Sequence, residues 1–208
     1  MEGNRIEEKQ LNPWLTIWVR PRETVRYAIN TKPMKFAVIL ALLAGIPQML
    51  DGATSNNLGD SISLPTIFIL ALIMGPLLGL LSWWIGSGIS YIVGTWIGGS
   101  GGFDELKMAT AISKIPYLLV SLIWLVDIAI LGGGMFTEEY DFSRTQIIWL
   151  FISGFVAIVT GIWTFVITIF AIAEAHRFSA WKSLLTMFIP FVAIVLVLSV
   201  FIVPFIFM

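Results

Sequence analysis

The chain has 208 residues, of which 58% are hydrophobic and 12% charged. With a mean hydropathy of +0.92, that is about half the charge of a soluble domain, so the composition is that of an integral membrane protein. Twelve Lys and Arg against thirteen Asp and Glu leave a net charge of -1, with no bulk basic surface for a nucleic acid. There is no cysteine and one histidine, His176, which removes disulfides, thiolate nucleophiles and metal or haem sites built on Cys or His. No cofactor is expected.

Residues 1 to about 10, MEGNRIEEKQ, are polar and unpatterned and read as a mobile tail. The following NPWLTIWVRPRETVRYAIN reads as two short helical turns, opened by Pro13 after the cap candidate Asn12 and by Pro21. Trp14 and Trp18 with Arg20 and Arg22 form the pattern of a segment lying in the cytoplasmic interface, rings in the acyl boundary and cations near anionic headgroups. Packing of the two indoles on the ends of the spans is the compatible alternative. Residues 1–35 are therefore expected to be a cytoplasmic tail and interfacial segment, and 36–208 a transmembrane domain.

A spanning helix needs about 20 mostly apolar residues, and five stretches meet or approach that length: Phe36 to Leu50, Pro65 to Ile97, Ile112 to Leu131, Gln146 to Ala173 and Leu184 to Met208. The first is short. The second is too long for a straight span and must tilt, kink or project. Eleven of the twelve cations lie before the first span, between the second and third, or between the fourth and fifth, and Arg144 alone falls on the other side. By the positive-inside rule the N-terminus is cytoplasmic and the C-terminus outside. The expected fold is all-α, a five-helix multi-pass protein of the cell membrane, without a cleaved leader.

Two stripes of small residues stand out. In the second span Gly75, Gly79, Ser82, Gly86, Ser90, Gly94 and Gly98 recur every three or four residues, and in the fourth Gly154, Ala157, Gly161, Thr164, Thr168, Ala171 and Ala175 do so. Such stripes let backbones approach closely. The two are expected to pack on each other, or one of them to serve as a docking face for a second protein. Gly75-Pro76 predicts a kink. GGSGGFDELK ends the second span and starts a helix with Asp104 and Glu105 in its first turn; it lacks the spacing of a phosphate loop.

Candidates for chemistry are few. Ser87 and His176 are the one serine–histidine combination, and their positions along the spans predict an offset of about 15 Å, too far for a nucleophile and its base. Asp127 is the ionisable residue well inside a span and so a functional candidate, with Arg144 as its expected partner. Glu174 and His176, with Arg177 and Lys182, read as a headgroup or docking patch. The acidic residues outside, Asp51, Asp60, Glu138, Glu139 and Asp141, could draw a cation, or be what the positive-inside rule leaves there. No enzymatic activity is expected.

Three segments together, NPWLTIWVRPRETVRYAI, FDELKMATAISKIPYLL and AEAHRFSAWKSLL, resemble the Yip1 family of five-span membrane proteins. The resemblance runs over nearly the whole chain from Leu11 and lies in the context of Pro116, Glu174, His176 and Lys182. The long acidic N-terminal domain of eukaryotic relatives, which bind small GTPases in vesicle traffic, is missing, and the chain looks bacterial. Its first 35 residues are also similar to a bacillar member of the family that accompanies an ABC-type exporter of a toxic peptide. The resemblance implies an accessory subunit whose partners are the lipid bilayer and another membrane protein, such as ABC transporter subunits, or a second copy of itself. The competing reading is a small transporter, channel or lipid-handling protein.

Overall fold

The computed structural model describes residues 10–206, so the expected mobile tail lies outside the described residues. Two short helices come first, α1 (Pro13–Thr16) and α2 (Pro21–Thr31). Asn12 caps α1 by accepting from the Trp14 N–H at 3.1 Å, and proline opens both helices, where its missing N–H costs nothing. Then follow α3 (Met34–Ser55), α4 (Leu64–Trp96), a segmented stretch of α5 (Phe103–Ile112), α6 (Ile115–Val120) and α7 (Trp124–Leu131), and finally α8 (Arg144–His176) and α9 (Ala180–Ile206). Four stretches are long and apolar enough to cross a membrane, Met34–Ser55, Leu64–Trp96, Phe103–Phe136 and Arg144–His176, and a shorter apolar helix runs through Ala180–Leu196.

The tightest packing joins α3 to α4. A Cβ on Gly45 would meet the Gly75 carbonyl and lie 2.8 Å from the Gly79 Cα, and one on Gly79 would meet the Ala41 carbonyl and lie 2.6 Å from the Gly45 Cα. Only glycine permits backbones this close. The α4 stripe therefore packs at Gly75 and Gly79 on α3. It does not pair with the stripe of α8, as the spacing alone suggests, because a Cβ added to Gly154 or Gly161 would have nothing within 4 Å and α4 and α8 barely touch. α3 and α4 continue past Pro47 and Pro76, each of which leaves one carbonyl of the preceding turn without its helical donor.

Two apolar clusters hold the ends of the bundle. One joins Ile17, just past α1, to Val25, Ala28, Ala37, Leu40, Leu106, Ile112 and Ile172 of α2, α3, α5 and α8, with Trp14 and Trp18 partly buried against it. The indoles thus pack on the span ends, while Leu15 and Val19 stay outward at 69% and 77% exposure, as interfacial residues do. The other cluster gathers Leu50, Ala53, Ile67 and Ala71 around Phe136.

The third crossing is broken where one helix is expected from Ile112 to Leu131. Ser113 and Lys114 separate α5 from α6, and Pro116 stands in the first turn of α6 without an N–H to offer the preceding turn. Ser121 then donates to the Leu118 carbonyl at 2.8 Å within a 3₁₀ turn, Ser121–Ile123, that leads into α7. Gly132, at φ +61°, turns the chain out of α7.

Gly45→Leu and Gly79→Leu are expected to destabilise the purified protein by about 3 kcal/mol or more, at or above the upper range for overpacking. Gly161→Leu, facing open space, should leave its thermal midpoint in detergent within a few degrees of the parent. Equal midpoints for all three variants would exclude the α3–α4 backbone contact.

Candidate functional site

The polar residues gather in two places: a junction at the α2 end of the bundle, and a pair of cavities between the two apolar clusters.

At the junction, α2, the loop 97–102, α5 and the end of α8 converge on Glu174, His176 and Arg177. Glu174 sits with its side chain 11% exposed and accepts from the Arg26 guanidinium at 2.6 Å, with Arg22 at 4.0 Å. The Glu174 hydrogen bond, then its charge, raises the Arg26 pKa above its already high ordinary value. Arg22 also lies 5.4 Å over the Phe170 ring, and Arg20 pairs with Glu23 at 3.7 Å on an exposed surface. The Arg22 and Arg26 contacts seat α2 on α8.

His176 is buried. Its Nδ1 accepts from the Gly101 N–H at 3.3 Å, and its Nε2 lies 3.0 Å from the Ser90 carbonyl. The neutral tautomer protonated on Nε2 satisfies both. The ring fills the space beside Gly94 and Gly99, where any Cβ would strike it. Arg177 adopts a left-handed conformation at φ +57° that ends α8: its N–H bonds the Glu174 carbonyl and that of Phe178 the Ala173 carbonyl, a Schellman closure usually made by glycine. Arg177 then reaches Glu105 at 2.6 Å, while Lys182 donates to the Ile97 carbonyl at 3.0 Å and caps α4. Asp104 and Glu105 occupy the first turn of α5, where Glu105 accepts from the Gly102 N–H.

The expected offset between Ser87 and His176 is not found. His176 reaches Ser90, one residue short of a turn from Ser87, because α4 runs past its α3 contact and α8 ends alongside it. The two still make no nucleophile and base. The Ser87 hydroxyl bonds the Trp83 carbonyl and the Thr110 hydroxyl at 2.7 Å each, and both ring nitrogens of His176 are engaged elsewhere.

Between the clusters lie cavities of about 520 and 610 Å³ that share Tyr117 and Gly161 in their walls. The first, nearer α2, is bordered by Gly79, Gly86 and Gly161, and the second by Gly154, Gly161 and Asp127. The small residues of α8 thus create volume instead of admitting a helix. Asp127, buried, accepts from the Trp149 indole at 2.7 Å. Arg144, its expected partner, is exposed at the first position of α8 and makes no ion pair among the described residues. An indole one and a half turns into α8 reaches the depth of Asp127, and a side chain at the helix start does not. Asp51 accepts from Tyr117 at 2.8 Å and Trp124 at 3.2 Å.

Sequence reasoning misses two of these residues. Lys114 reads as one of the cytoplasmic loop cations, yet Ser113 beside it bonds Thr168 at 3.1 Å, two turns inside the end of α8, and Lys114 lines the first cavity. Asp51 reads as part of an outer loop and lies within α3. Only the contacts of the segmented crossing reveal either placement.

The fold and these sites define a polytopic, all-helical membrane protein. Residues 15–202 match the model of the Yip1 domain, and the chain belongs to the Yip1 family. No curated protein and no solved structure matches it.

Replacing His176 with Ala removes two hydrogen bonds and leaves a void against Gly94 and Gly99, which should cost about 2–4 kcal/mol. Arg26→Ala, at an exposed guanidinium, should cost less than about 1 kcal/mol. Thermal unfolding in detergent measures both; a His176→Ala protein as stable as Arg26→Ala would show that the ring does not hold the junction together.

Proposed function

We propose that the chain is a non-enzymatic accessory or assembly partner of a membrane complex in the cell membrane, with five spans, the N-terminus inside and the C-terminus outside. The observation that carries this reading is the unpacked face of its last two helices. Beyond Met187, α9 turns Phe191, Val192, Ile194, Val195 and Leu196 outward all round at 47–62% exposure, and α8 from Ile147 to Val159 is similarly bare. Membrane helices associate by close packing and not by escape from water, so such faces suit either lipid or the helices of a second protein. Family membership supports a membrane role, and the resemblance of the first 35 residues to a bacillar relative is what points to an ABC-type exporter of toxic peptides as the partner. On this reading the partner supplies the energy.

The orientation rests on charge. With Lys114 inside the bundle, eight cations among the described residues remain on the α2 side, Arg20, Arg22, Arg26, Lys32, Lys35, Lys107, Arg177 and Lys182, against Arg144 on the other. A second reading, a small transporter or channel, draws on the two cavities that meet at Tyr117 and Gly161.

Affinity purification of the tagged chain from native membranes, followed by mass spectrometry, should recover ABC-transporter subunits in stoichiometric amount. The double change Phe191→Ala with Val195→Ala should reduce that recovery several-fold, and Asp127→Asn should leave it unchanged. Recovery of the chain alone would reject the accessory reading. A complex that survives Asp127→Asn while the cellular phenotype is lost would move the function to transport.

A further inference from the structure

Lys114 is the residue whose surroundings least explain it. It stands in the break between α5 and α6 and lines the cavity of about 520 Å³, and its side chain is accessible from that space. Among the described residues its ammonium makes no ion pair, hydrogen bond or aromatic contact, whereas Lys107, seven residues earlier, pairs with Asp104 at 2.6 Å and lies 4.8 Å over Phe103. Asp51, which borders the neighbouring cavity, is already held by the Tyr117 and Trp124 donors. A cation with three donors placed in a span without an acceptor is costly and calls for a partner.

The rest of the wall fits an anionic partner. Thr164 contributes a buried hydroxyl that has no hydrogen-bond partner, and Ser82 and Gln48 add polar atoms on the opposite side. Among the described residues no acidic side chain lines this cavity, so charge complementarity points one way. The cavity lies toward the α2 end of the bundle: Ser113 meets Thr168, about 12 Å along α8 from His176. The cavity is also half open, because α4 and α8 barely touch beside Gly86 and Gly161, which have open space around them, and exposed Phe165 flanks the gap.

We propose that this cavity binds one anionic phospholipid of the surrounding bilayer, with its phosphate on the Lys114 ammonium and its acyl chains leaving between α4 and α8. The inference concerns what fills the cavity and is independent of what the chain assembles with.

The test is native mass spectrometry of the full chain in mild detergent with equal amounts of phosphatidylglycerol and phosphatidylcholine. The parent should retain one phosphatidylglycerol in preference to phosphatidylcholine by about tenfold, because the choline cation of the latter offsets its phosphate charge and is repelled by the Lys114 ammonium. Lys114→Gln should abolish the preference and Lys114→Arg restore it, while Lys182→Gln, outside the cavity, leaves it intact. Gly161→Leu, which fills the shared wall, should lower retention of either lipid. A preference unchanged in Lys114→Gln, one equally lost in Lys182→Gln, or no preference in the parent would overturn the proposal. Displacement of the lipid by millimolar inorganic phosphate would also overturn it, since the site would then hold a free anion and not a lipid.

Discussion

Everything in this bundle is referred to the contact of α3 with α4, where Gly45 meets Gly75 and Gly79 backbone to backbone. In a bilayer, helices gain little from hiding apolar surface, so dispersion over closely matched surfaces must hold them. Removing the side chains at these three positions gives the most extensive helix–helix contact among the described residues. With the two helices locked, the remaining length of α4 beyond α3 becomes a post on which α5 and the end of α8 are seated. The Trp83 indole donates to the Lys107 carbonyl at 2.9 Å, and the His176 ring lies against Gly94.

The third crossing answers a different constraint. A proline and two serines interrupt it, and each freed backbone group must find a partner within the protein. Ser113, Ser121 and Thr110 supply local ones, to the carbonyls of Thr110, Leu118 and Leu106. A crossing built of short segments cannot pack as evenly as a straight helix, and the unevenness appears as the two cavities. The small residues of α8 line these spaces for the same reason that glycines let α3 and α4 touch: both are consequences of missing side-chain volume, with a facing helix in one case and none in the other.

The junction around His176 then fastens the α2 end. Its ion pairs are largely exposed and individually weak, but the histidine is buried with both nitrogens engaged. It ties the glycine loop to α4 and α8 at once. This is why a segment so rich in glycine, GGSGG, forms a defined turn and not a loose linker.

Much of this was legible in the chain itself. Apolar run lengths, the prolines at positions 13 and 21, the cap at Asn12 and the acidic first turn of α5 follow from local rules that act over a few residues. Membership of the Yip1 family was readable from the context of Pro116, Glu174, His176 and Lys182. What local rules do not carry is which surfaces meet. The spacing of a small-residue stripe is the same whether it receives a helix, as at Gly79, or borders a void, as at Gly161, and the charge of Lys114 or Asp51 reads the same in a loop or inside a bundle. Tertiary structure alone decided that Asp127 is met by Trp149 and not Arg144, and that Lys114 faces a cavity, because depth and facing depend on how distant helices end and cross.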